Sequence, residues 1–264
     1  MANARLAEIF HDLLGAVQGV IKKHGVTYEE YRQATGFLME AGKSDNEIPL
    51  LLDIFLSVTV DDVNNPSTGG TETNVEGPYY IPGAPVLDPP YALPSRENEP
   101  GDPLFFSGSV RSTDERPLAG TVLDIWQANG EGHYSHFDPS QPQYNLRGKI
   151  KTDDQGRFEV RTVVPAPYEI PKEGPTGRLV GALGRTFFRP AHIHVMLSHD
   201  GFRPLTTQIY FQDDPWLDSD VVGAVKASLV TKLEKHEDVA ELQKWGVGRP
   251  FFTCSYDLVL QPQA

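Results

Sequence analysis

Within Arg189-Pro190-Ala191-His192-Ile193-His194-Val195-Met196-Leu197, two histidines are separated by one residue. Pro190 and the β-branched Ile193 and Val195 favour an extended chain over a helix. On a strand, His192 and His194 project to one face and Ile193 and Val195 to the other. Two imidazoles so placed can chelate one metal ion, while the plain alternative is a polar pair on a solvated sheet face. A metal needs more donors, and they are scarce. Cys254 is the only cysteine, so thiolate sites are excluded, and no Glu follows HIH at short range. His133 and His136 flank Tyr134 in GEGHYSHFD, which leaves a four-histidine site open. Phenolate from Tyr134 and Tyr168 is a further option. A phenol titrates at about pH 10 in water, but a highly charged cation lowers the pKa of its ligands. Phenolate oxygen is also a hard donor that suits a ferric ion.

Residues of this kind need a scaffold to bring them together, and the chain reads as two compositions joined near residue 65. In the first, Leu6, Ile9, Phe10, Leu13, Leu14, Val17, Val20 and Ile21 recur at helical spacing, closed by Lys22, Lys23 and His24 and stopped at Gly25. Thr27 with Glu30 makes a capping box for a second helix, and Ser44 with Glu47 makes another before Leu50, Leu51, Ile54 and Phe55. Residues 1–65 are therefore expected to form a helical packing or dimerisation region. From Asn64 to Gly101 the runs NNPSTGG, EGPYYIPGAP and DPPYALPSRENEPGDP predict a long loop. Beyond it, FSGSV, TVLDIW, GKIKT and RFEVRTVV alternate with period two between turn residues, among them Asp153-Asp154-Gln155-Gly156. That pattern predicts an antiparallel β-sandwich over residues 66–264, giving a mainly β protein with N-terminal α-helices.

Composition removes several function classes. The chain has 264 residues with 23 Lys+Arg against 36 Asp+Glu, a net charge of −13, and no dense basic stripe to receive nucleic acid. The most apolar stretch, Ile48 to Val60, is interrupted by Asp53 and is too short to span a bilayer, which needs about 20 residues. Glu8 and Asp12 interrupt the N-terminal apolar stretch, so it reads as a helix of the mature protein and not a signal peptide. A single cysteine fits a reducing cytoplasm. GEGHY lacks the strand–helix setting of a phosphate-binding glycine loop.

The segments EGPYYIPGAP, DIWQANGEGHYSHFD, NLRGK, PAPYEIPKEGPTG, RPAHIH and LTTQIYF occur in this order, with Tyr134 and Tyr168 34 positions apart. Together they resemble the intradiol ring-cleaving dioxygenases of the catechol and chlorocatechol 1,2-dioxygenase type, over nearly the whole chain. The resemblance implies one Fe(III) per chain bound by Tyr134, Tyr168, His192 and His194. It implies that Arg189 faces substrate and that Gln208 stands behind the ligands. Val75, Pro78 and Tyr79 fall on the loop that lines the substrate pocket in relatives, and Val221 and Val222 in DSDVV align with pocket positions further along the chain. In the implied reaction catechol gives up two protons, one of them to Tyr168, which then leaves the metal. Dioxygen opens the ring between the two hydroxyl-bearing carbons to a cis,cis-muconate-type diacid. The apolar faces of the N-terminal helices suggest a homodimer, which is also the family habit, and relatives can hold a lipid at that interface. Two departures stand out: Phe188 where relatives often have Trp, and His133 where small or aromatic residues are common. The alternatives are hydroxyquinol as substrate, giving maleylacetate; a metal-free transthyretin-like binding module; and a zinc hydrolase or lyase using His192, His194 and His133 or His136.

Overall fold

A computed structural model describes residues 3–44, 46–66 and 69–263; Ser67 and Thr68 of the NNPSTGG run lie outside the described residues. The chain divides into two compact units, Met1–Ile48 and Pro49–Ala264.

The first unit holds α1 (Ala4–His24) and α2 (Tyr28–Ala41). The Asn3 side chain accepts the Leu6 amide at the start of α1, and Gly25 ends it at φ 62°, a left-handed conformation that a side chain would disfavour. Thr27 and Glu30 form the expected reciprocal capping box, with Glu30 accepting the Thr27 amide at 2.8 Å. The apolar stripe of α1 is real, and its residues Leu6 to Ile21 stand between 39% and 62% exposed. The Ser44 hydroxyl donates to the Glu40 carbonyl at 3.2 Å, and α3 (Glu47–Asn64) starts at Glu47. Ser44 thus closes the helix behind it, a bond that serines readily make to a carbonyl four residues back.

The second unit is built on strands β1 (Tyr91–Ala92), β2 (Pro103–Ser112), β3 (Val122–Gln127), β4 (Arg147–Lys151), β5 (Arg157–Val163) and β6 (Tyr168–Glu169). Helix α4 (Pro175–Ala182) precedes β7 (Phe188–Arg189), β8 (His192–Ser198), β9 (Leu205–Phe211), β10 (Val230–Thr231) and β11 (Glu234–His236). Helix α5 (Val239–Trp245) then leads to β12 (Phe251–Ser255) and β13 (Leu258–Leu260). The described residues between Asn65 and Gly101 are loop, as expected, apart from the two residues of β1.

Two sheets share one core. One runs β10-β9-β8-β3-β4 and the other β1-β5-β2-β12-β11, with β13 also on β2. Their facing side chains, among them Phe106, Val160, Ile125, Ile193, Val195 and Ile209, are buried together. Pairing is not antiparallel throughout, which corrects the sequence expectation. The order β9-β8-β3-β4 is antiparallel, but β10 runs parallel to β9, β1 to β5, and both β12 and β13 to β2. Period-two patterning reports which face a side chain takes and not strand direction. Long connections such as that from β2 to β12 permit parallel pairs.

Candidate metal centre

On β8 the alternation works as the sequence predicts. Ile193 and Val195 enter the core, and His192 and His194 face the other way, 2% and 1% exposed. Their Nε2 atoms lie 3.0 Å apart, and the Tyr134 Oη is 3.5 Å from His192 Nε2. Tyr168, on β6, has its ring centroid 5.5 Å from that of Tyr134 and 5.8 Å from that of His192. The four predicted donors are thus brought to one place.

Each donor is held by its neighbours. The Pro190 carbonyl lies 2.7 Å from His192 Nδ1, and a carbonyl can only accept. Nδ1 therefore carries the proton, which leaves the Nε2 lone pair free for a cation. His194 stacks on Trp126 at 4.6 Å and 7° between planes. Tyr134 follows a turn in which the Asn129 side chain accepts the amides of Glu131 and His133, both at 3.0 Å. Gly132 sits in that turn at φ 83°, where an added Cβ would come 2.9 Å from Tyr168 Cβ. The glycine of GEGHY is what lets the two tyrosines approach.

Burial sets the ionisation of these groups. It lowers the pKa of His192 to about 3, with Arg189 adding to the effect, and holds His194 well below its ordinary value. Both imidazoles are therefore neutral, as ligands must be. Burial pushes both phenols up; at Tyr168 the Arg189 charge pulls the other way. A cation of high charge is what would ionise them.

Arg189, at the end of β7, is 2% exposed. Its guanidinium reaches Asp220 Oδ1 at 3.2 Å, Gln208 Oε1 at 2.9 Å and Tyr210 Oη at 3.1 Å. Gln208 donates in turn to the Val75 carbonyl at 2.6 Å. Tyr79 stacks on Tyr134 at 4.7 Å. With Tyr134, Tyr168 and Ile170 it bounds a recess of about 390 Å³. Val75, Val221 and Val222 pack with Ile54 of α3, Ile170 and Val180 in an apolar cluster. Pro78 joins Val75, Leu52 and Asp53 around a second cavity of about 730 Å³. Sequence reasoning missed Asp220, Tyr210, Trp126, Arg147 and the α3 pair Asp53 and Ile54. Asp220 lies in the DSDVV segment that carries Val221 and Val222, Trp126 in DIWQANGEGHYSHFD, Arg147 in NLRGK and Tyr210 in LTTQIYF.

Neither departure disturbs the donors. Phe188 stacks on Trp216 at 4.0 Å, and His133 keeps a 59% exposed side chain, 3.9 Å from Asp138. His136 packs on Tyr144. The four-histidine alternative is thus not assembled. Among the described residues no group of three or more His, Cys, Asp or Glu is arranged to hold a metal. Tyr134 and Tyr168 stand beside the histidine pair.

The family model described as "Dioxygenase" matches residues 75–262, and that described as "Catechol dioxygenase N terminus" matches residues 3–72. The chain belongs to the intradiol ring-cleavage dioxygenase family. Chlorocatechol 1,2-dioxygenase of Rhodococcus opacus is 43% identical over 238 residues, 89% of this chain and 92% of the relative. Catechol 1,2-dioxygenase of Acinetobacter baylyi is 36% identical over 268 residues, 98% of this chain and 86% of the relative. The crystal structure of the Rhodococcus opacus 3-chlorocatechol 1,2-dioxygenase superposes with a TM-score of 0.92 at 43% identity, covering 99% of this chain and 100% of that one. As a member of the intradiol dioxygenases the chain is an enzyme of the dioxygenase class. That leaves little room for the metal-free module or the zinc hydrolase.

The donor set fits the non-haem iron of this family. Two neutral imidazoles and two phenols, with no carboxylate or thiolate among them, suit a hard ferric ion. A zinc site would draw on His, Cys and carboxylates.

Proposed function

We propose that this intradiol dioxygenase cleaves catechol, with tolerance for methyl and chloro substituents, between its hydroxyl-bearing carbons to a cis,cis-muconate-type product. One Fe(III) per chain would be held by Tyr134, Tyr168, His192 and His194. The observation that carries this reading is the meeting of two buried neutral imidazoles with two buried phenols at one place. Bound there, ferric iron would supply Lewis acidity, drawing electron density from a deprotonated catechol so that the ring itself reacts with dioxygen.

The protein supplies the rest. Tyr168 would hold a proton given up by substrate at its Oη; it sits on the two-residue strand β6, paired with β7, beside the charge of Arg189. Tyr134 is hemmed in by the Tyr79 ring. Arg189 cannot be neutralised at working pH, and Asp220, Gln208 and Tyr210 fix where its charge lies. Val75, Pro78, Tyr79, Val221 and Val222, with Ile54, are the side chains that shape the space for a ring substituent. One methyl-sized change there is worth about 1–3 kcal/mol of discrimination.

A homodimer through the N-terminal helices, with a lipid seated at its interface, belongs to the same proposal. It is supported by the exposed apolar stripe of α1. So does a cytoplasmic address, supported by the lone Cys254, which is buried and whose pKa burial raises to about 12. Relative kcat/KM on catechol, 4-chlorocatechol and hydroxyquinol, with identification of each product, tests the reading. The highest value is expected on catechol or its chlorinated form. Preference for hydroxyquinol would move the substrate, and a product opened outside the two hydroxyls would overturn the reaction.

A further inference from the structure

Arg147 is buried, 1% exposed, yet it has no carboxylate partner among the described residues. Its Nε donates to the Ser135 hydroxyl at 2.8 Å and Nη2 to the Ser135 carbonyl at 3.1 Å, while Nη1 finds no partner among the described residues. Asp124, whose charge reaches it, is paired with Lys149 at 3.4 Å. A buried guanidinium without an anion is unfavourable and calls for an explanation. What it does face is aromatic: its Cζ lies 5.7 Å from the centre of the Tyr134 ring.

The sheet makes this placement a matter of register. Arg147 of β4 is paired with Trp126 of β3, Trp126 with His194 of β8, and His194 with Gln208 of β9. The four residues form one row across four strands, so the guanidinium stands two strands from a predicted ligand and beside the ring of another. Ser135 follows Tyr134 directly in the chain. The arginine therefore grips the residue next to the one it overlies.

We propose that Arg147 is a positioning residue for Tyr134: its fixed charge is the countercharge of a Tyr134 phenolate, holding that ligand in place and damping its donation to the metal. The inference rests on the ferric reading above. It gives the two tyrosines different surroundings, one under Arg147 and the other beside Arg189, as a site with one permanent and one departing phenolate requires.

The test is the visible phenolate-to-iron absorption of iron-loaded protein, with iron per chain measured alongside. In Arg147→Met the phenolate loses its stabilising charge, so the band is expected to move to longer wavelength. Arg147→Lys, which restores a cation, is expected to return it towards the wild-type position. Superimposable spectra for wild type and Arg147→Met would overturn the proposal, as would a lysine variant that stays with the methionine one. Should circular dichroism show that Arg147→Met does not fold, Ser135→Ala takes its place, releasing the anchor while keeping the charge. A band that does not move in Ser135→Ala would then overturn the proposal. A wild-type protein that holds iron without colour would instead refute the ferric reading.

Discussion

Arg189 and Asp220 face each other with side chains 3% and 1% exposed, so almost no water screens them. The resemblance implied an arginine turned to substrate; the structure adds that its charge is half of a buried pair. Removing one partner of such a pair leaves the other uncompensated, which costs about 3–5 kcal/mol. Arg189→Ala is therefore expected to keep its iron, slow turnover and lose stability of that order, read as a lower urea midpoint. Slow turnover with an unchanged midpoint would contradict the pairing. The pH dependence follows from Asp220. Burial works against its carboxylate, but Arg189 and the amides of Val222 and Ala224 outweigh it and hold the pKa below the ordinary value. The stability it confers is fully present above about pH 3.9, where the unfolded carboxylate titrates, and is lost as pH falls through the lowered folded value.

At the scale of elements, the site depends on a strand, a turn and a helix that meet. Strand β8 supplies both histidines by alternation alone, which is why the pair is legible from HIH and a preceding proline. The turn before Tyr134 is legible only in part. GEGHY announces a bend, but not that Gly132 lies against Tyr168, 36 positions further along. Gly132→Ala must place a Cβ where Tyr168 Cβ and the Pro167 carbonyl stand at 2.9 and 3.0 Å, with φ at 83°. Strain of this kind costs about 1–3 kcal/mol. Because it falls on a predicted ligand, Gly132→Ala is expected to bind iron more weakly by metal titration; wild-type affinity would contradict the geometry. Asp220, Arg147 and Trp126 were missed for a related reason. Trp126 and Arg147 share a row with His194 through strand register, and Asp220 meets Arg189 from 31 positions away; no local pattern encodes either placement.

For the molecule as a whole, the predicted ligands would link stability to iron and to acidity. With the pKa of His192 lowered to about 3 and that of His194 held well below normal, the unfolded chain binds protons that the folded one refuses. Their contribution is fully present above about pH 6.5, the ordinary histidine value, and is lost progressively as pH falls towards the lowered folded values. Iron-stripped protein is expected to show a Tm that declines over this range. Iron-loaded protein is expected to show a higher Tm whose advantage narrows in acid, as the phenols and imidazoles regain protons and release the metal. A Tm difference that does not change with pH would mean that the iron is held by other groups. Two predictions at this scale come from the sequence with unequal success. The helical front and strand-rich body are legible in composition, whereas the parallel pairs joining β2 to β12 and β13 are not, because they depend on connections more than a hundred residues long.

The visible absorption spectrum of protein carrying one iron per chain, set beside those of Tyr134→Phe and Tyr168→Phe, tests the central claim most directly. Phenolate bound to ferric iron absorbs visible light. The wild type is therefore expected to be coloured, and each substitution to shift or bleach the band. A colourless protein with a full complement of iron, or a spectrum unchanged in both variants, would contradict a centre built on Tyr134 and Tyr168.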